Sequence, residues 1–239
     1  MRFRTIKNSG KVGMEFCHTD SNGARVTRDL LRRLIINIVK KSTKYYDETG
    51  DHVFAYREKQ LHSVICPSIE MITPSFLIEH PLTRKPAGEE EYTGYADYWI
   101  SYRNYSFLLE LKHSYFAYKR AKNPRQSIGS KFDNAIQQLK NVRKSECQLL
   151  TENNGLIKIA LEAIVFYEGS SNEISNDVMK DQDFPLLLRQ LISNSSLKDR
   201  VNFSSIWVLN KRLVEPYEYS NSFERYPALG FIGHISEMP

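Results

Sequence analysis

Cysteine is scarce in this chain: among 239 residues only Cys17, Cys66 and Cys147 occur, an odd number with no CxxC or Cys/His spacing. That excludes a disulfide framework, offers no zinc-site pattern, and points to a reducing, cytoplasmic compartment. Long apolar runs are missing too. Nowhere do the ~18 consecutive apolar residues of a membrane span appear, and the basic start "MRFRTIKNSGKVGMEFCHTD" lacks an apolar signal-peptide stretch. The expectation is a soluble protein that is not exported and does not enter a membrane. Repeats, low-complexity tracts, helix-turn-helix and zinc-finger patterns are also absent, so any specificity for a polymer would have to come from loops.

What is present is a moderate positive charge, +5 overall, which favours an anionic partner without proving one. Its placement says more. The segment "YFAYKRAKNPRQSIGSK" (115–131) carries Lys119, Arg120, Lys122, Arg125 and Lys131 with no acid among them.

Hydrophobic periodicity gives a coarse order of elements. Residues 27–46 repeat apolar side chains at Leu30, Leu31, Leu34, Ile35 and Ile38, a helical spacing with Thr27 as a candidate N-cap. A second helix is expected over 55–72, where Pro67 should kink or shorten it. The period then changes to that of strands. Residues 91–102 and 105–115 are short, aromatic-rich and separated by Arg103-Asn104, which reads as an antiparallel hairpin, and "SFLIEH" (75–80) is a candidate strand before it. Helical spacing returns at 130–150, followed by a buried strand at 157–169, a short helix at 184–192 and a strand at 204–210; 170–182 and 215–226 read as surface loops. The fold class implied is α/β, a mixed β-sheet flanked by helices on both faces. Residues 1–50 would form an N-terminal helical extension packed on a core of residues 51–239.

The hairpin carries the chemistry. Side chains alternate across a strand, so Glu110 and Lys112 share one face while Leu109 and Leu111 take the other. A loop centred on Arg103-Asn104 sets Asp97 opposite Glu110. Two facing carboxylates repel unless a cation lies between them, and a divalent metal answers that need, with Lys112 one pleat along. Carboxylate oxygens suit Mg²⁺ or Mn²⁺, and the carbonyl of Leu111, between the two functional side chains, is a further candidate ligand. Such a set fits hydrolysis of a phosphodiester, with a metal-activated water and a lysine that orients it or offsets charge in the transition state.

An acid on one strand (Asp97), then Glu110-Leu111-Lys112 on the next, with Glu58 on the preceding helix and Gln137 and Gln138 on the following one, resembles the PD-(D/E)XK nuclease superfamily. The likeness spans about residues 55–168, with Ala96 standing where the family pattern has proline. It implies a restriction-endonuclease-like core, a metal held by Asp97, Glu110 and the Leu111 carbonyl, and supporting roles for Glu58 and Gln138. It further implies DNA rather than RNA as substrate, in a restriction or anti-phage defence setting. Gln138 flanks the apolar stripe of its helix whereas Gln137 points away. Lys119, Arg120, Lys122 and Arg125 are expected on the phosphate backbone. His113 points to the opposite face and is not expected to be catalytic. Two other readings stay open: a binding or assembly module that keeps the fold without turnover, holding nucleic acid, a partner subunit or a second copy, and a scaffold in which Asp97, Glu110 and Lys112 form a salt-bridged patch.

Overall fold

A computed structural model of the chain describes residues 1–17, 22–84, 90–119, 126–142, 155–170, 180, 183–193, 197–219 and 222–238. One sheet of nine strands organises it, in the order β1-β2-β7-β9-β6-β5-β4-β3 with β8 paired to β9. The strands are β1 (Arg2–Ile6), β2 (Gly10–Phe16), β3 (Phe76–Arg84), β4 (Tyr92–Tyr102), β5 (Tyr105–Ala117), β6 (Leu156–Ser170), β7 (Phe203–Leu209), β8 (Tyr217–Tyr219) and β9 (Ser222–Met238). The β5–β6 pair is parallel; the other ladders are antiparallel. Among the described residues four α-helices pack on the sheet: α1 (Asn22–Thr49), α2 (Glu58–Glu70), α3 (Gln126–Lys140) and α4 (Asp183–Ser193).

Two apolar layers follow from strand alternation. On one face Leu109, Leu111, Ile159 and Leu161 pack with Leu30, Leu34 and Ile38 of α1 and Leu61 and Ile65 of α2. The opposite face sets Leu108, Ala160 and Ile164 against Phe132, Ala135 and Leu139 of α3 and Phe184 and Leu188 of α4. The sheet therefore has helices on both faces, as the alternating pattern implied. No helix among the described residues is long and apolar enough to cross a membrane.

The hairpin is built as its sequence suggests. Tyr102 pairs with Tyr105, and Arg103 and Asn104 both take positive φ, 47° and 61°, the signature of a two-residue type I′ turn whose twist suits the strands it joins.

Several expectations need correction. Thr27 is no cap: the helix already starts at Asn22, and the Thr27 hydroxyl donates back to the Gly23 carbonyl one turn earlier at 2.8 Å. Pro67 sits inside α2, which ends three residues later at Glu70. Residues 1–50 contain more than a helix, because β1 and β2 extend the sheet before α1 begins. Residues 215–226 are not simply a loop, since they hold β8 and the start of the 17-residue β9. Proline and glycine disguised that strand. Tyr226 and Pro227 fall where the β6–β9 register shifts between Phe166 and Glu168, a bulge that tolerates a missing N–H. Gly233 is needed for packing, as a Cβ there would come within 2.9 Å of the Phe203 ring. Most of 170–182 and the stretch 143–150 of the expected third helix lie outside the described residues.

Candidate active site where β4 parts from β5

The β4–β5 ladder runs from the turn only as far as Tyr98 opposite Leu109. Beyond that pair the strands separate, and the Asp97 side chain fills the place of the next ladder bond: its Oδ2 accepts the Leu111 amide at 2.6 Å. An extended residue presents its N–H and C=O to the same edge of the strand. The Leu111 carbonyl thus faces the same opening as Asp97.

Glu110 and Lys112 project together toward the α3 side. Lys112 Nζ donates to Glu110 Oε1 at 2.8 Å; the Glu110 side chain is 3 % exposed and that of Lys112 17 %. The other Glu110 oxygen, Oε2, is buried without a hydrogen-bond partner among the described residues, its nearest cation being Arg84 Nη2 at 3.7 Å. Burial, then the Asp97 charge, raises the Glu110 carboxyl above its ordinary range against the pull of Lys112 and Arg84. For Lys112 burial opposes the charge, but Glu110, Asp97 and Glu58 outweigh it and hold the ammonium above the ordinary lysine value. Asp97 is therefore close enough to Glu110 and Lys112 to govern both.

Glu58 is the first residue of α2, and its charge acts on Lys112 and on Glu162. The position of α3 follows from its two ends. Lys131 Nζ donates to the His113 carbonyl at 2.8 Å, and Val142, just past the helix, accepts Lys158 Nζ at 2.8 Å, Lys158 being the register partner of Leu108. Gln138 stands between these anchors in the chain. Gln137 is exposed, while Gln138 Oε1 is buried with no hydrogen-bond partner among the described residues.

Glu162 was not among the sequence-derived candidates. It lies beside Lys112 in the parallel β5–β6 ladder and is fully buried. Ser114 Oγ donates to its Oε1 at 2.5 Å, its Oε2 has no partner among the described residues, and burial pushes its carboxyl up to about 8. A lone acid in the apolar run "IKIALEAIVF" was the available signal. Arg84, 3 % exposed at the end of β3, is the second omission. It donates to the Tyr95 carbonyl, and Gly94 makes room for it, since a Cβ at that glycine would come within 2.5 Å of Arg84 Nε.

Other candidates sit elsewhere. His113 turns to the opposite face, where burial lowers its pKa to about 4 and its Nε2 contacts the Phe54 carbonyl at 3.1 Å. Lys119 lies roughly 20 Å along the strand from Lys112 and is bound to Glu168 at 2.5 Å, which also holds Arg225 and the Tyr118 hydroxyl. Arg120, Lys122 and Arg125 lie outside the described residues.

The donors suit a hard divalent cation that keeps several waters: two carboxylates, one of them with a buried oxygen lacking a hydrogen bond among the described residues, and one carbonyl. Among the described residues no three His, Cys, Asp or Glu side chains are grouped to hold a metal by themselves. Comparison with known proteins adds little. No family model and no curated protein matches the chain. A solved structure described as the crystal structure of SSO0001 aligns over 75 % of this chain and 80 % of its own at 14 % identity, with a TM-score of 0.22, too low to carry an argument.

Proposed function

We propose that this protein is a metal-dependent endonuclease that hydrolyses phosphodiester bonds of DNA in the cytoplasm, in a restriction or anti-phage setting. The observation that carries the reading is the convergence of Asp97, Glu110, the Leu111 edge and the Lys112 ammonium where β4 leaves β5, a place where a scaffold would continue its ladder. Asp97, Glu110 and the Leu111 carbonyl would hold Mg²⁺ or Mn²⁺, which when bound would polarise the phosphate and ease deprotonation of a water. The water oxygen would form the new bond to phosphorus, giving up a proton to bulk solvent, while the bond to the leaving sugar oxygen breaks and that oxygen takes up a proton from solvent.

The chain's own groups have distinct parts in this. Lys112 stays protonated at neutral pH because three acids hold its charge, so it acts as a cation beside the attacked phosphate, orienting the water and offsetting the added negative charge, and not as the base. Arg84 keeps Glu110 from being an isolated buried anion. Gln138 offers a buried carbonyl oxygen, unpartnered among the described residues and able to accept a hydrogen bond from water.

A second reading, a nucleic-acid-binding or assembly module without turnover, is favoured by one observation: Lys112 at 2.8 Å and Arg84 at 3.7 Å together offset the Glu110 charge with side chains alone. Incubation with plasmid, linear and single-stranded DNA, with Mg²⁺ or Mn²⁺ and with EDTA, decides between them. The nuclease reading expects cleavage only with metal; binding that ignores metal, with intact DNA throughout, supports the module.

A further inference from the structure

A groove at the far edge of the sheet takes no part in the site above. Edge strand β1 exposes Arg2, Phe3 and Arg4, and Lys7 follows in the turn. Facing them, α1 presents Arg28, Arg32, Ile36, Lys40 and Lys44, one residue in four and therefore a stripe along one side of the helix. The space between measures about 700 Å³ at the Arg2 and Arg32 end and about 380 Å³ at the Lys7 and Lys44 end. Arg4 and Ile36 line both parts, so the groove is continuous. From Arg28 to Lys44 it runs roughly 24 Å at the helical rise.

Its charge is not cancelled from within. The acids lining it are Glu15 and Asp47, and each is engaged from another element: Glu15 by Arg189 at 3.2 Å, Asp47 by Arg212. Lys44 has Glu48 at 3.6 Å. Among the described residues no acid pairs with Arg2, Arg4, Lys7, Arg32 or Lys40. Five unpaired cations along both walls of one groove repel each other, and a linear polyanion removes that repulsion. Phe3 takes no part, because strand alternation turns its ring to the other face of the sheet, over Gly13, where a Cβ would come within 2.7 Å of it. A row of cations along a groove fits the regularly spaced phosphates of a nucleic-acid strand.

We propose that this groove binds nucleic acid by its phosphate backbone, its arginines and lysines on the phosphates. Such binding goes beyond the hydrolytic reading and does not depend on it. β1 is five strands from β5, roughly 24 Å, and α1 covers the face opposite Glu110 and Lys112.

The test is anisotropy of a labelled 20-nucleotide oligothymidylate titrated with the full chain in EDTA. Arg4→Glu with Arg32→Glu should weaken binding at least tenfold. Phe3→Ala should leave it unchanged, since that ring lies on the other face of the sheet. Five phosphate contacts give a log–log salt slope near −3.5, at about 0.7 per contact on single strands, and the paired reversal should flatten it by about 1.4. Asp97→Asn should leave affinity unchanged, which separates this site from the catalytic one. Thermal midpoints check folding, and Arg32→Ala with Lys40→Ala, both exposed on a helix, serves if the reversal unfolds β1. Binding that ignores all these groove variants overturns the proposal. So does equal affinity for poly-glutamate or for anionic vesicles, which would mark an indiscriminate polyanion surface.

Discussion

Replacing Glu162 by glutamine should make the protein more stable at alkaline pH and leave it unchanged in acid. Burial raises this carboxyl from 4.5 to about 8. Below pH 4.5 it is protonated whether the chain is folded or not, so it contributes no pH dependence. Between 4.5 and about 8 the unfolded chain has released the proton while the folded one retains it. The folded state then binds more protons, and stability falls as pH rises. At about 1.36 kcal/mol per pKa unit, the loss reaches roughly 3 kcal/mol at pH 7 and levels near 5 kcal/mol above pH 8, an upper figure because solvent entry relaxes a buried charge. A glutamine side chain in this place would still accept the Ser114 hydroxyl but could not ionise. Urea unfolding of both proteins in EDTA at pH 5 and pH 8 gives the difference directly. His52 and His113, each lowered to about 4 by burial, add stability as pH rises toward their unfolded value, but they are common to both chains and cancel. Parallel stability curves, with the same difference at both pH values, would refute the reasoning.

Asp97→Ala should cost about 1–3 kcal/mol in urea unfolding, because it leaves the Leu111 amide without its acceptor, whereas Asp97→Asn should nearly retain stability and still lose DNA cleavage. Asn104→Val should lower stability by about 1–2 kcal/mol, since a β-branched residue cannot easily take the left-handed φ of 61° the turn demands; an unchanged thermal midpoint would show that the turn rearranges. Lys112→Met should reduce stability by a few kcal/mol at pH 8, where Glu110 would be a buried anion with only Arg84 nearby, and proportionately less at pH 5.

The hairpin was legible because its information is local. Asn104 tolerates positive φ, the aromatic strands alternate, and the turn fixes the register as far as Tyr98 opposite Leu109; the parting beyond it, where Asp97 takes the Leu111 amide and forms no ladder pair with Glu110, was not legible. That Gln138 turns inward and Gln137 outward was likewise legible locally, from the apolar helical stripe beside Gln138. Glu162 and Arg84 were not, because what makes each significant is a neighbour far along the chain: Lys112 across a parallel ladder for one, Glu110 across two strands for the other. β1 escaped notice as a short, exposed edge strand with charged side chains, and β9 because its proline marks a bulge and its glycines answer packing. The basic groove is wholly non-local. Its walls are a strand and a helix that each look like ordinary solvated surface when read alone.

The central claim is that the cluster at the parting of β4 and β5 acts on the transition state of phosphodiester cleavage. Single-turnover cleavage of duplex DNA in saturating Mg²⁺ by the wild-type protein and by Lys112→Ala, with DNA affinity measured in parallel, tests it most directly. The account predicts that the variant binds DNA within about twofold of wild type and cleaves it at least a hundredfold more slowly, the loss of a charge needed only in the transition state. Unimpaired cleavage by Lys112→Ala, or a loss confined to binding, would contradict it.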